Sequence, residues 1–173
     1  MAARSAPATA AQRTTWIRFA GVAQGIPAEL NSRLLAESGL SQFEYLVLNH
    51  LILSDGERLP MTRLALLLAC SLSRLSHVVS RLEKAGCVAR SKSPDDGRVA
   101  IAALTERGAE QFRAAAPGYF ASVRELFFDR LDARDLVDLD RVMAKLLPGV
   151  DAGGILAPLV IEVGARTDTP TRY

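Results

Sequence analysis

The stretch Val88-Ala-Arg-Ser-Lys-Ser-Pro-Asp-Asp-Gly-Arg-Val-Ala-Ile-Ala-Ala-Leu104 decides the fold, because its period differs from that of its surroundings. Val88, Arg90 and Lys92 lie two apart, and Val99, Ile101 and Ala103 alternate beyond Pro94-Asp95-Asp96-Gly97. Two alternating runs around such a turn predict an antiparallel hairpin. From about residue 12 to about residue 147 the rest of the chain reads as helix.

Upstream, Trp16, Phe19, Ala20 and Ala23 recur at helical spacing, and Leu30, Leu34 and Leu35 continue it. Pro27 makes this one kinked helix or two short ones. Gly39 closes the element, and Ser41 caps the next, which carries Tyr45, Leu46, Leu48 and Leu51. Ser54-Asp55-Gly56 is a turn signal. Pro60 suits the first turn of a helix through Leu64, Ala65, Leu67 and Leu68, and Ser71 caps a further helix that ends before Gly86. After the hairpin, Thr105 caps a helix reaching about Phe128, with Pro117-Gly118 as a kink. Asp132 caps a last helix, ended by Pro148-Gly149.

Three helices followed by a two-stranded hairpin are the order of a winged helix-turn-helix. The fold class is therefore mainly α, with long helices flanking that unit on both sides. Such flanks cannot bury their apolar faces on a small central unit, which predicts a partner subunit. The expected organisation is a loose tail over 1–11, a helical dimerisation region over 12–39 and 109–147, a DNA-binding domain over 40–108, and an extension of unassigned role over 148–173.

The helix capped by Ser71 has Leu75, Val78, Val79 and Leu82 at i, i+3, i+4 and i+7, one apolar stripe. Its other face carries Ser73, Arg74, Ser76, His77, Ser80, Arg81 and Lys84, with Glu83 the only acid. Small hydroxyls let a helix approach a major-groove floor. Arg74 has the fork that reads guanine, Ser73 and Ser76 suit base edges or phosphates, and Arg81 suits phosphate. His77 lies one turn from each arginine and is read as a base or phosphate contact, the plain alternative being a surface histidine. In the hairpin, Arg90 and Lys92 lie on one strand and Arg98 begins the other. A wing arginine suits the negative potential of a minor groove. The alternative, that Asp95 or Asp96 pairs with Arg98 and pins the turn, is compatible with that role. With the capping Ser71, the candidate DNA-binding residues are Ser71, Ser73, Arg74, Ser76, His77, Arg81, Arg90, Lys92 and Arg98.

The chain has 173 residues, 21 basic and 19 acidic, and a net charge of +2 that looks indifferent to nucleic acid. From Arg58 to Arg107, however, nine basic side chains face four acidic ones, a balance of +5, and the remaining 12 basic and 15 acidic residues give −3. The positive charge is segregated onto the winged helix. A 49% hydrophobic content excludes a disordered chain. No apolar run approaches the roughly 18 residues of a membrane span, and the N-terminal stretch lacks the apolar core of a secretory signal. A cytoplasmic, bacterial protein is expected, nucleoid-associated when bound. Cys70 and Cys87 make no disulfide framework and read as buried structural thiols. With His50 and His77 the only histidines, no metal site is expected. No glycine-rich phosphate loop or nucleophile–base set points to an enzyme or a cofactor.

Residues 93–108, Ser-Pro-Asp-Asp-Gly-Arg-Val-Ala-Ile-Ala-Ala-Leu-Thr-Glu-Arg-Gly, resemble the wing signature of MarR-family transcriptional regulators: an Asp-x-Arg turn, an apolar strand, then Leu-Thr-x-x-Gly. Residues 80–90 resemble the end of that family's recognition helix and its first wing strand, and Leu40 to Leu48 is similar to its second helix. The resemblance covers about residues 12–147, and Gly97 stands where an arginine is more usual. It implies a homodimer with intertwined first and last helices, on a palindromic double-stranded operator. Recognition helices would lie in successive major grooves, with wings in the flanking minor grooves and half-sites about 10 bp apart. It also implies release by a small phenolic or aromatic-acid effector near the junction of dimer and DNA-binding regions, with Trp16, Phe19, Phe43, His50 and Arg58 as candidate lining. Ordinary core and dimer contacts are the other explanation of those five. A dimer with no activation segment favours a repressor. The alternative function is a winged-helix module for protein contact without DNA, which would need neither Arg98 at the wing nor the +5 segment.

Overall fold

The computed structural model describes residues 7–94 and 96–151. Helix α1 (Ala10–Ser38) begins inside the expected tail, because Thr9 and Gln12 form a capping box in which each side chain satisfies the other's backbone N–H. It is one helix through Pro27, which sits with Ala23 on an exposed turn where the freed carbonyl can meet water. Gly39, with φ of 72°, ends it. Ser41 and Glu44 form a second box at the start of α2 (Gln42–Ile52). Then follow β1 (Arg58–Pro60), α3 (Met61–Leu67), α4 (Leu72–Lys84), β2 (Val88–Lys92), β3 (Ala100–Leu104), α5 (Glu106–Leu126) and α6 (Ala133–Leu146). Helix α5 continues through Pro117, and Asp132 caps α6 as its sequence indicates.

The wing has a third strand that the sequence reading lacks. The sheet order is β1-β3-β2, all antiparallel, with Arg58 opposite Ala103 and Val88 opposite Leu104. Three residues ending in proline show no alternation, and only the free edge of β3 makes them a strand. The inward face of β3 carries Ala102, fully buried, and on β2 only Val88 is buried.

The core lies inside the winged helix. Tyr45, Leu48 and Leu51 of α2 meet Leu64 of α3, Leu75, Val79 and Leu82 of α4, Val88, and Phe112 of α5. Each large aliphatic or aromatic side chain buried this way contributes about 1.5–3 kcal/mol of transfer free energy. Tyr45 stacks between Phe112 and Tyr119, at centroid distances of 5.0 and 4.3 Å, and so fastens α5 to α2. Arg33 fastens α1 to α5 by a bidentate pair with Glu125, at 2.7 and 3.2 Å. Helices α3 and α4 meet at 107°, a helix-turn-helix angle. No single helix among the described residues is long and apolar enough to cross a membrane.

Among the described residues, the first part of α1 and all of α6 bury no side chain. From Ala10 to Glu29, α1 has no buried residue, and Trp16 is 65% exposed. Helix α6 has none either, and Val137 is 70% exposed. The expected extension lies outside the described residues beyond Asp151.

A joint of main-chain contacts connects wing and helices. Thr105 N–H donates to the Cys87 carbonyl at 3.1 Å, and Thr105 Oγ1 donates to the Gly86 carbonyl at 2.7 Å. The same hydroxyl caps α5 by accepting from Gly108 N–H at 3.1 Å. A Cβ on Gly108 would lie 2.1 Å from the Cys87 carbonyl oxygen. This is the physical content of Leu-Thr-x-x-Gly. Gly108→Ala should therefore cost about 1–3 kcal/mol or more in urea unfolding. Gly97→Ala, with nothing within 4 Å of its Cβ, should stay within about 0.5 kcal/mol of wild type.

Candidate nucleic-acid interface

Ser71 starts α4 by accepting from Arg74 N–H at 3.2 Å. The stripe Leu75, Val78, Val79 and Leu82 is buried, so the polar face is forced outward. An open depression of about 620 Å³ runs along it, lined by Ser71, Ser73, Arg74, His77, Val78, Ser80, Arg81 and Lys84. Five of these, Ser71, Ser73, Arg74, His77 and Arg81, belong to the candidate DNA-binding set, and Val78, Ser80 and Lys84 line the depression beside them. Ser76 is half-buried and does not line the depression. Helical phase explains both: five residues after Ser71, Ser76 has turned to the flank.

The two arginines are held by α2. The Arg74 guanidinium lies over the Phe43 ring, 4.6 Å from its centroid. Arg81 forms an ion pair with Glu44, its Nε lying 3.2 Å from Glu44 Oε1. Sequence spacing carries no sign of these contacts, which join separate helices.

On the wing, register puts Arg90 on the face of β2 that turns toward α4. Both Arg90 Nη2 and Nε donate to Glu83 Oε2, at 2.5 and 3.0 Å. The acid of the recognition helix is thus neutralised by the wing, and Arg90 holds its carboxyl below the usual range. Lys92 and Arg98 are exposed. Asp96 accepts from the Arg98 backbone N–H at 3.0 Å, so it shapes the turn through the main chain.

The five candidate effector residues lie on three elements, α1, α2 and β1. Trp16 and Phe19 touch each other on exposed α1, at 5.9 Å between centroids. Phe43 underlies Arg74, and Arg58 begins β1. His50 is half-buried on α2, and desolvation lowers its pKa. None of the five lines the depression on α4. Cys87 is fully buried, and its thiol donates to Gln111 Oε1 at 2.9 Å. Cys70 is half-buried, and burial pushes its thiol up despite Arg74, the opposite of an activated thiolate. No group of three or more His, Cys, Asp or Glu among the described residues is placed to hold a metal ion.

Known proteins share this arrangement. The model of the MarR family matches residues 38–99, from the end of α1 through the wing turn. The structure of Sco3205, a MarR family transcriptional regulator from Streptomyces coelicolor solved in complex with DNA, is 35% identical, with a TM-score of 0.80 over 83% of this chain and 91% of that one. This chain belongs to the MarR family of transcriptional regulators. A second MarR-family structure, AbsC from Streptomyces coelicolor, is also 35% identical, with a TM-score of 0.77 over 84% of this chain and 99% of that one. YdcH of Bacillus subtilis, an uncharacterised HTH-type regulator, is 34% identical over 87 residues, 49% of this chain and 59% of that protein's length. MarR-family membership makes the chain a transcriptional regulator and not an enzyme.

Two carboxylates of this MarR-family chain are depressed by arginine partners, Glu83 by Arg90 and Glu125 by Arg33. A depressed carboxylate stabilises the fold above its unfolded pKa, about 4.3, and loses that contribution as pH falls through the lower folded value. In a series of thermal melts, wild type should lose stability below about pH 4.3 more steeply than a Glu83→Gln, Glu125→Gln double variant.

Proposed function

We propose that this MarR-family chain is a homodimeric repressor of a palindromic double-stranded operator. The observation that carries this is the outward basic face of α4, with its depression beside a wing that presents Lys92 and Arg98. Residues 40–108 form the DNA-binding domain in this reading, with Ser71, Ser73, Arg74, His77 and Arg81 facing the major groove and Arg98 the flanking minor groove. Ser76 and Arg90 act at its margin, Arg90 by joining the wing to Glu83. Residues 12–39 and 109–147 form the dimer. The exposed apolar residues of the first part of α1 and of α6 support this, since no described residue buries them. Two-fold symmetry would then place half-sites about 10 bp apart. A small aromatic effector enters this reading through the same interface, where Trp16 and Phe19 are exposed. The site of action is the bacterial cytoplasm, on the chromosome.

A mobility shift with fragmented genomic DNA tests the reading. Wild type should bind at low salt, and absence of any shift would favour a protein-contact module instead. Arg98→Ala should weaken binding and reduce the slope of log K against log salt by about 0.9 per subunit. Trp16 is the single tryptophan and reports on the dimer. Dilution should red-shift its emission in step with dissociation in sedimentation, and Val137→Glu should give the shifted spectrum at any concentration.

A further inference from the structure

Helix α2 makes two contacts with α4 at one place. Phe43 and Glu44 are adjacent in its first turn, and each holds one arginine of the recognition helix. Phe43 lies under the Arg74 guanidinium at 4.6 Å, and Glu44 Oε1 forms an ion pair with Arg81, 3.2 Å from its Nε. Arg74 and Arg81 are seven residues apart, two helical turns, so both rise from the same face of α4. The turn that holds them is itself fixed from behind. Glu44 Oε2 accepts from Ser41 N–H at 2.9 Å and from Ser41 Oγ at 2.6 Å. Asn31 Oδ1, on α1, accepts from Gln42 N–H at 3.0 Å. The side chain of Glu44 is 13% exposed and that of Arg81 63%, so a sunken acid steadies a solvent-facing cation.

A long arginine has many rotamers, and fixing them on binding costs entropy. Bidentate reading of a guanine edge also needs the guanidinium in one plane. A ring beneath Arg74 limits that plane before DNA arrives. The ion pair with Glu44 lies on the Nε side of Arg81 and leaves the terminal N–H groups of the guanidinium turned to phosphate.

We infer that the first turn of α2 is a positioning platform for DNA reading, in which Phe43 sets the plane of Arg74 and Glu44 the direction of Arg81. Neither residue touches DNA, and Phe43 determines specificity through Arg74. The inference rests on the DNA-binding reading above. It gives Phe43 a task other than lining an effector site, and it makes the acid of α2 favourable to binding a polyanion.

The experiment first selects a duplex from a random-sequence pool with wild-type protein, then measures affinity for it and for its single-base-pair variants. Arg74→Ala identifies the base pair that Arg74 reads. Phe43→Leu should lose about tenfold in affinity and lose discrimination at that same base pair, while binding to non-specific duplex is unchanged. Phe43→Tyr, which keeps the ring, should restore both. In the Phe43→Leu, Arg74→Ala double variant the loss should be no greater than for Arg74→Ala alone. Glu44→Gln is decisive in sign. Plain electrostatics raises affinity when a carboxylate is removed beside phosphates, whereas a platform makes it fall for every duplex. Full discrimination by Phe43→Leu, additive losses in the double variant, or tighter binding by Glu44→Gln would each overturn the inference with the DNA reading intact. Failure of wild type to select any duplex overturns the DNA reading, and this inference with it.

Discussion

The carbonyl of Cys87 is the point on which the DNA-binding half is hung. It accepts from Thr105 N–H at 3.1 Å while Gly108 lies against it too closely for any side chain. One residue back, Gly86 turns the chain out of α4 at a φ of 75° and gives its carbonyl to the Thr105 hydroxyl. Four elements therefore end or begin within a few residues of one joint: the recognition helix, the first wing strand, the last wing strand and α5. Backbone groups carry most of it, and buried backbone groups must be paired somewhere. The wing and the recognition helix cannot shift relative to each other without breaking it.

Around that joint the molecule separates into two kinds of surface. The winged helix closes its own core, with α2, α3, α4, the sheet and the first half of α5 all contributing buried side chains. The flanking helices do not. The first part of α1 and all of α6 bury no side chain, and Trp16, Ile17, Val137 and Val142 stand exposed, which a monomer in water would pay for in free energy. Arg33 and its pair with Glu125 keep α1 against α5, so the open faces are held on a rigid frame. A dimer built on those faces would transmit its geometry through α5 directly to the joint and to the recognition helix.

Most of the element order was legible in the residues, because each boundary carries its own chemistry. Ser41, Ser71, Thr105 and Asp132 are all observed caps, and Gly39 and Gly86 both adopt the left-handed conformation that ends a helix. Strand β1 was not legible, since three residues have no period and exist as a strand only by pairing with β3. The first turn of α1 was missed for a different reason: the Thr9–Gln12 box lies in an alanine-rich stretch that looks like a tail. For the site, the basic face of α4 and the flank position of Ser76 both followed from helical spacing, whereas the α2 partners of Arg74 and Arg81 did not.

Local matters are written in the residues: which segments are helical, where most of them are capped, where the hairpin turns, and that positive charge gathers on the winged helix. These follow from short-range physics, periodicity and capping, within a few residues. Which charges act together depends on the packed fold. Arg90 engages Glu83, Arg81 engages Glu44 and Arg74 lies on Phe43, and each pair joins elements whose meeting depends on strand register or helix crossing. Spacing along one helix cannot encode a partner on another. The reason is geometric: such contacts exist only after the core has set the distance between elements.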